Sequence, residues 1–133
     1  MNPGTAKRRR IGTQTQTGNK VGAQCFVETA RVGNAVYLVL IGELDLSCTD
    51  RFRARVDEAV ADGPEDLVVD LRSTTFIDST GLALLLKLDS RSREDEFRLH
   101  VVRSRAEIVN AIFEASGVKN ILPLSDEPPK LNA

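Results

Sequence analysis

The chain has no tryptophan, one tyrosine, one histidine and two cysteines in 133 residues. Each scarcity removes a class of function. So few aromatic rings leave little on which nucleic-acid bases could stack, and no direct nucleic-acid contact is expected of the folded part. One histidine and two distant cysteines cannot assemble a usual zinc site, and no cofactor is expected. The lone histidine, His100, falls inside the strand pattern Phe97–Val102. A strand residue is a simpler reading there than a catalytic base, so Ser-His-Asp hydrolysis loses its base. No run approaches 18 apolar residues, which excludes a transmembrane helix. The Lys7–Arg10 run is followed by Ile-Gly-Thr-Gln-Thr-Gln-Thr-Gly, without the apolar segment of a secretory leader. The Gly-Lys-Ser/Thr of a P-loop and the Gly-x-Gly-x-x-Gly of a dinucleotide site are also missing. A nucleophile elbow would need glycine where Ile77 stands.

What is present is ordinary in bulk and uneven in detail. Hydrophobic residues at 41% and charged residues at 28% suit a single soluble α/β-sized domain. The net charge of −1 conceals a basic front. Lys7, Arg8, Arg9, Arg10 and Lys20 stand without an acid in residues 1–20, and the other 13 basic residues face 19 acidic ones. Residues 1–22 read as a disordered basic tail, either a solvated extension or a contact for an acidic surface. Residues 126–133 read as a flexible C-terminal tail. Cys25 and Cys48, without metal-ligand spacing, fit free thiols in a reducing cytosol better than a disulfide framework.

Between the tails the pattern alternates strands and helices. Residues 24–32 and Ala35–Ile41 read as a hairpin about Gly33-Asn34. A helix follows over Thr49–Ala61, with Ser47 or Thr49 as cap candidates and Gly63-Pro64 as its stop. Leu67–Leu71 is a short, nearly all-apolar strand, a second helix runs to about Arg93, and Phe97–Val102 is a further strand. Ser104 with Glu107 resembles a capping box for a third helix that Gly117 ends. Ile121–Leu124 is a last extended stretch. The order β-β-α-β-α-β-α-β predicts an α/β fold, a mixed and mostly parallel sheet with an N-terminal hairpin and helices packed on it.

The chemistry concentrates in Phe76-Ile77-Asp78-Ser79-Thr80-Gly81, between the Leu67–Leu71 strand and the helix carrying Leu82-Ala83-Leu84-Leu85-Leu86. A hydroxyl at a helix start faces outward-pointing N–H groups that favour an anion. Ser79 is therefore a nucleophile, a phosphate position or a simple cap. Asp45, Asp70 and Asp78 lie near strand ends, but the first strand supplies no paired acids for a phospho-acceptor pocket. For Asp45 and Asp70 a strand-end turn residue is the plain alternative. In the second helix Leu82, Leu85 and Leu86 share one face, and Leu84 and Leu88 another. A helix apolar on two faces is fully buried or lends one to a partner, so core is the default for Leu84 and Leu88, which are also partner-contact candidates.

Leu67-Val68-Val69-Asp70-Leu71, four linking residues and Phe76-Ile77-Asp78-Ser79-Thr80-Gly81-Leu82 resemble the signature of the STAS domain, most narrowly of the bacterial anti-sigma factor antagonists. Gly42-Glu43-Leu44-Asp45 resembles that family's second landmark, at a matching separation. The resemblance spans roughly residues 24–124 and implies a STAS domain over 23–125. It implies a non-enzymatic, cytoplasmic regulator that binds an anti-sigma factor with serine kinase activity and releases a sigma factor. Phosphorylation would fall on Ser79, and a phosphoserine phosphatase would reverse it. Asp45, Asp78, Ser79, Thr80 and Gly81 would line the partner surface. Cys48 stands where relatives tend to carry threonine. The alternative within the family is a non-phosphorylated STAS scaffold, a subunit of a signalling or lipid-transport assembly.

Overall fold

Gly33 takes φ +60° between two antiparallel strands, β1 (Cys25–Val32) and β2 (Ala35–Leu44), a conformation that a β-carbon makes costly. The tight turn fixes the register from Val32↔Ala35 to Cys25↔Gly42. The computed structural model describes residues 25–131, so the basic segment 1–22 and its Lys7–Arg10 run lie outside the described residues. After the hairpin come α1 (Thr49–Ala61), β3 (Asp66–Asp70), β4 (Thr74–Ile77), α2 (Ser79–Glu94), β5 (Arg98–Val102) and α3 (Glu107–Ser116). A 3-10 turn over Val118–Asn120 and the two-residue strand β6 (Leu124–Ser125) complete the order.

The sheet runs β1-β2-β3-β5-β6, with β4 paired to β2 beyond β3. Only the hairpin is antiparallel; the other pairings are parallel. Strand alternation decides which residues make the core. Leu38 and Leu40 of β2, Leu67 and Val69 of β3, and Leu99 and Val101 of β5 join one cluster. Phe52 and Val56 of α1, Leu85 and Leu88 of α2, and Val109 and Phe113 of α3 belong to the same cluster. The alternate β2 residues Tyr37, Val39 and Ile41 are only half-buried, whereas Val68 of β3, in register with Tyr37, is wholly buried outside this cluster. Each fully buried Leu or Phe contributes about 1.5–3 kcal/mol, which makes this cluster the main source of stability.

Four local expectations change. Residues 74–77, read as part of a link, form β4, giving β-β-α-β-β-α-β-α-β. Thr-Thr-Phe-Ile has strong strand character but is short. It gains a partner only because β2 outruns β3 and, after a register shift at Gly42/Glu43, pairs with β4. The α3 cap is Ala106 without a side-chain bond, not Ser104. Ser104 is buried, donating its hydroxyl to the Thr74 carbonyl at 2.5 Å and accepting from Ala106 N at 2.9 Å, so it ties a loop rather than capping a helix. The α1 cap is Cys48, also without a side-chain bond. The Thr49 hydroxyl turns back to the Leu46 carbonyl at 3.2 Å.

The cysteines are the fourth. Cys25 and Cys48 are bonded in a disulfide, with Cα atoms 5.9 Å apart, where the sequence suggested free thiols. The hairpin returns the first residue of β1 to the start of α1, and this approach is invisible in a separation of 23 residues.

Candidate functional site

Leu44, the last residue of β2, and Ile77, the last residue of β4, are wholly buried neighbours in the ladder. Their pairing sets the two following loops side by side. Asp78 stands at the N-cap of α2 in extended conformation. Its Oδ1 accepts from Thr80 N at 3.0 Å, Gly81 N at 3.1 Å and the Thr80 hydroxyl at 2.5 Å. Its Oδ2 accepts from Leu46 N in the β2–α1 loop at 3.2 Å, and its own N–H donates to the Leu44 carbonyl at 3.2 Å. One carboxylate thus caps a helix and fastens a second loop to it.

The electrostatics follow from those donors. Burial pushes the Asp78 carboxyl up, but the Thr80 hydroxyl and the N–H groups of Gly81, Leu46 and Thr80 outweigh it, and the group sits below the usual carboxylate range. It is an anion at neutral pH with its lone pairs engaged. Asp45, in the loop that Asp78 holds, accepts from Ser47 N at 3.0 Å and from the Ser47 hydroxyl at 2.6 Å through Oδ1. That is an Asx turn, the plain reading of a strand-end aspartate, placed in the same surface as Asp78.

Ser79 opens α2 and is exposed. Among the described residues no side-chain hydrogen bond involves its hydroxyl, whereas Thr80 beside it is committed to Asp78. The cap is Asp78, so the serine at N1 is spared that task. Gly81 shows why the turn needs a glycine. A β-carbon there would lie 2.6 Å from the Leu44 carbonyl oxygen and 2.8 Å from both Leu44 Cγ and Ile77 Cγ1. The first turn of α2 is pressed directly on the end of β2.

In the leucine-rich helix the structure takes the core reading of two residues. Leu84 and Leu88 are buried with Leu85, whereas Leu82 and Leu86 are partly exposed. Leu84 and Leu88 line a groove of about 190 Å³ between α1 and α2, with Phe52 and Val56 opposite and Lys87 and Arg91 among its charged lining. They present apolar surface at the groove rather than on an open helix face. One site residue escaped the sequence reading. Leu46, between Asp45 and Ser47, is 71% exposed while its N–H holds Asp78. The available signal was a lone large apolar residue in a polar loop.

Among the described residues no histidine accompanies Ser79. His100 Nε2 lies 2.8 Å from Asp66 Oδ1 on β3, a pairing away from this turn. Asp70 is occupied by Arg72, whose Nε and Nη2 fork onto its carboxylate at 3.0 and 2.7 Å. Among the described residues no three His, Cys, Asp or Glu gather as a metal site, and no helix is long and apolar enough to cross a membrane.

Comparison with known proteins agrees with this geometry. The family model described as "Mlab, STAS domain" matches residues 27–123. The anti-sigma-B factor antagonist of Staphylococcus aureus is 24% identical over 85 residues, covering 64% of this chain and 78% of that protein. The crystal structure of an anti-sigma factor antagonist from Mycobacterium paratuberculosis superposes with a TM-score of 0.67 at 22% identity, over 78% of this chain and 87% of that one. The anti-sigma factor antagonist SpoIIAA in its unphosphorylated form gives 0.64 at 22% identity, over 77% and 90%. The phosphorylated form of SpoIIAA from Bacillus gives 0.58 at 21% identity, over 77% and 93%. At these identities the structures establish the shared fold.

Proposed function

The chain belongs to the STAS domain family, and from that premise we propose that it is an anti-sigma factor antagonist switched by phosphorylation of Ser79. The observation that carries the reading is the division of labour in the Asp78–Gly81 turn. Asp78 caps α2, Thr80 is bonded to it, Gly81 is pinned on β2, and Ser79 alone presents an exposed hydroxyl. Such a hydroxyl is a substrate for another protein's chemistry. The partner is an anti-sigma factor with serine kinase activity, a phosphoserine phosphatase resets the switch, and the setting is cytoplasmic. The chain itself catalyses nothing in this scheme. Asp45, Asp78, Ser79, Thr80 and Gly81 form the partner surface, with Leu84 and Leu88 flooring the adjoining groove.

The physics of the switch is local. A phosphate at the exposed N1 position lies outside the core at the positive end of the α2 dipole, so the domain tolerates it even with Thr80 N and Gly81 N taken by Asp78. It brings about −1.5 to −2 charges beside an aspartate already held as an anion. A partner acid roughly 8 Å away, at an effective dielectric of about 20, is repelled by about 2 kcal/mol per unit charge. That alone is about 30-fold in affinity, before steric and desolvation costs.

The test is incubation of the chain with its cognate kinase and ATP, followed by mass-spectrometric mapping. Phosphate on Ser79 is expected, together with a Ser79→Asp variant that keeps its melting curve and loses partner binding. Phosphate elsewhere, or full affinity in the variant, would overturn the mechanism. A second reading, a non-phosphorylated STAS subunit of a signalling or lipid-transport assembly, is kept open by the family description, which carries the name Mlab. Co-purification of a multi-subunit assembly whose formation is indifferent to Ser79→Asp would favour it.

A further inference from the structure

Three arginines gather where β3 and β5 end. Arg72 lies in the β3–β4 turn, Arg103 and Arg105 lie between β5 and α3, and Arg105 N donates to the Arg72 carbonyl at 3.3 Å. Arg72 is held by its two-pronged bond to the buried Asp70, which fixes the guanidinium and leaves Nη1 outward. The three cations exceed that single buried anion by two charges. The chain's own terminal segment supplies the difference. Asp126 Oδ1 lies 3.0 Å from Arg103 Nε, and Glu127 places Oε1 3.8 Å from Arg72 Nη1 and Oε2 3.6 Å from Arg105 Nη2.

Two features mark this segment as a replaceable occupant. Its carboxylates remain largely in water, 82% exposed for Asp126 and 68% for Glu127, so each pair is weak and screened. Its backbone hold is short: β6 has two residues, Arg103 N donates to the Ser125 carbonyl at 2.8 Å, and Pro128 and Pro129, which follow the acids, have no N–H with which to extend a ladder. We propose that the Arg72–Arg103–Arg105 cluster is a docking surface for an acidic peptide segment of a protein partner, and that Asp126–Glu127 is its built-in competitor. A peptide fits better than a nucleic acid because the present occupant combines adjacent carboxylates with a strand-like bond to the edge of β5, and only a peptide supplies both. The proposal does not rest on Ser79.

The test uses the full chain and a labelled peptide, Leu-Ser-Asp-Glu-Pro-Pro, copying residues 124–129, read by fluorescence anisotropy. Neutralising the competitor with Asp126→Asn and Glu127→Gln should tighten binding about 5-fold over wild type, the effect of three weak pairs. Adding Arg105→Gln, on a side chain 61% exposed, should return most of that gain, and a peptide with Asn-Gln in place of Asp-Glu should bind neither chain. Equal affinity of wild type and the neutralised variant would overturn the proposal. So would absence of peptide binding, or tighter binding of a DNA duplex than of the peptide, in a neutralised variant whose melting temperature is unchanged. Should that variant not fold, displacement of the tail in wild type by unlabelled peptide, followed through the amide resonances of Asp126 and Glu127, decides in the same way.

Discussion

Replacing Gly81 with alanine should destabilise this domain, although the same exchange in an open helix stabilises by up to about 1 kcal/mol. The added methyl would lie 2.6 Å from the Leu44 carbonyl oxygen and 2.8 Å from Leu44 Cγ and Ile77 Cγ1. None of these neighbours can recede cheaply. Leu44 and Ile77 are wholly buried, and the Leu44 carbonyl accepts from Asp78 N, the residue that caps α2. The first turn of α2 must therefore lift off β2, an overpacking cost of about 1–3 kcal/mol. Lifting also strains the Gly81 N–H bond to Asp78, worth about 1 kcal/mol. After the propensity gain, the net loss is about 2 kcal/mol. In urea denaturation that is a midpoint lower by about 1 M at unchanged slope. Ala83→Gly, at an exposed position two residues on, is the control and should lose about 1 kcal/mol through propensity alone. A Gly81→Ala chain as stable as wild type, or more so, would refute the close packing of α2 on β2.

Two further outcomes can be checked with the same melts. Asp78→Ala should cost about 1–2 kcal/mol at pH 7, and the gap to wild type should narrow as the pH falls. The sign follows from the lowered carboxyl: its stabilisation is complete above the ordinary aspartate range and is lost as pH falls through the lower folded value, from about pH 5 downward. A gap constant to pH 3 would contradict the cap. Asp66, bonded to Arg98 and His100, and Asp70, whose burial is outweighed by Arg72, are lowered too and add acid sensitivity of the same sign. Reducing the Cys25–Cys48 bond, which closes a loop of 23 residues, should remove about 3 kcal/mol, and Cys48→Ser should abolish the response to reductant. Identical urea midpoints with and without dithiothreitol would count against the bond.

The elements that stood out in the sequence are those whose signals are local. The Thr49–Ala61 helix, the hairpin about Gly33 and the glycine stop at Gly117, which takes φ +80°, each rest on periodicity or on one backbone requirement. Where a residue had two possible partners, local reading chose the nearer one. Ser104 looked like a cap for its own helix and instead bonds a carbonyl 30 residues away. For Leu84 and Leu88 the sequence left both core and a partner face open, and their burial depends on where α1 packs against α2. Residues 74–77 became a strand only because β2 was long enough to accept them.

For the site, the sequence by itself determined that an acid, a hydroxyl and a glycine meet at a helix start. That depends on residue identity and spacing. Only the tertiary structure decided that Asp78 is the cap and Ser79 the exposed hydroxyl, that Leu46 brings the Asp45 loop onto the same carboxylate, and that Cys25 reaches Cys48. It alone set the acidic terminal segment against three arginines. The last three join residues far apart in the chain: the β2–β4 pairing sets Leu46 against Asp78, the β1–β2 hairpin carries Cys25 to Cys48, and the β5–β6 pairing lays Asp126 and Glu127 beside the arginines.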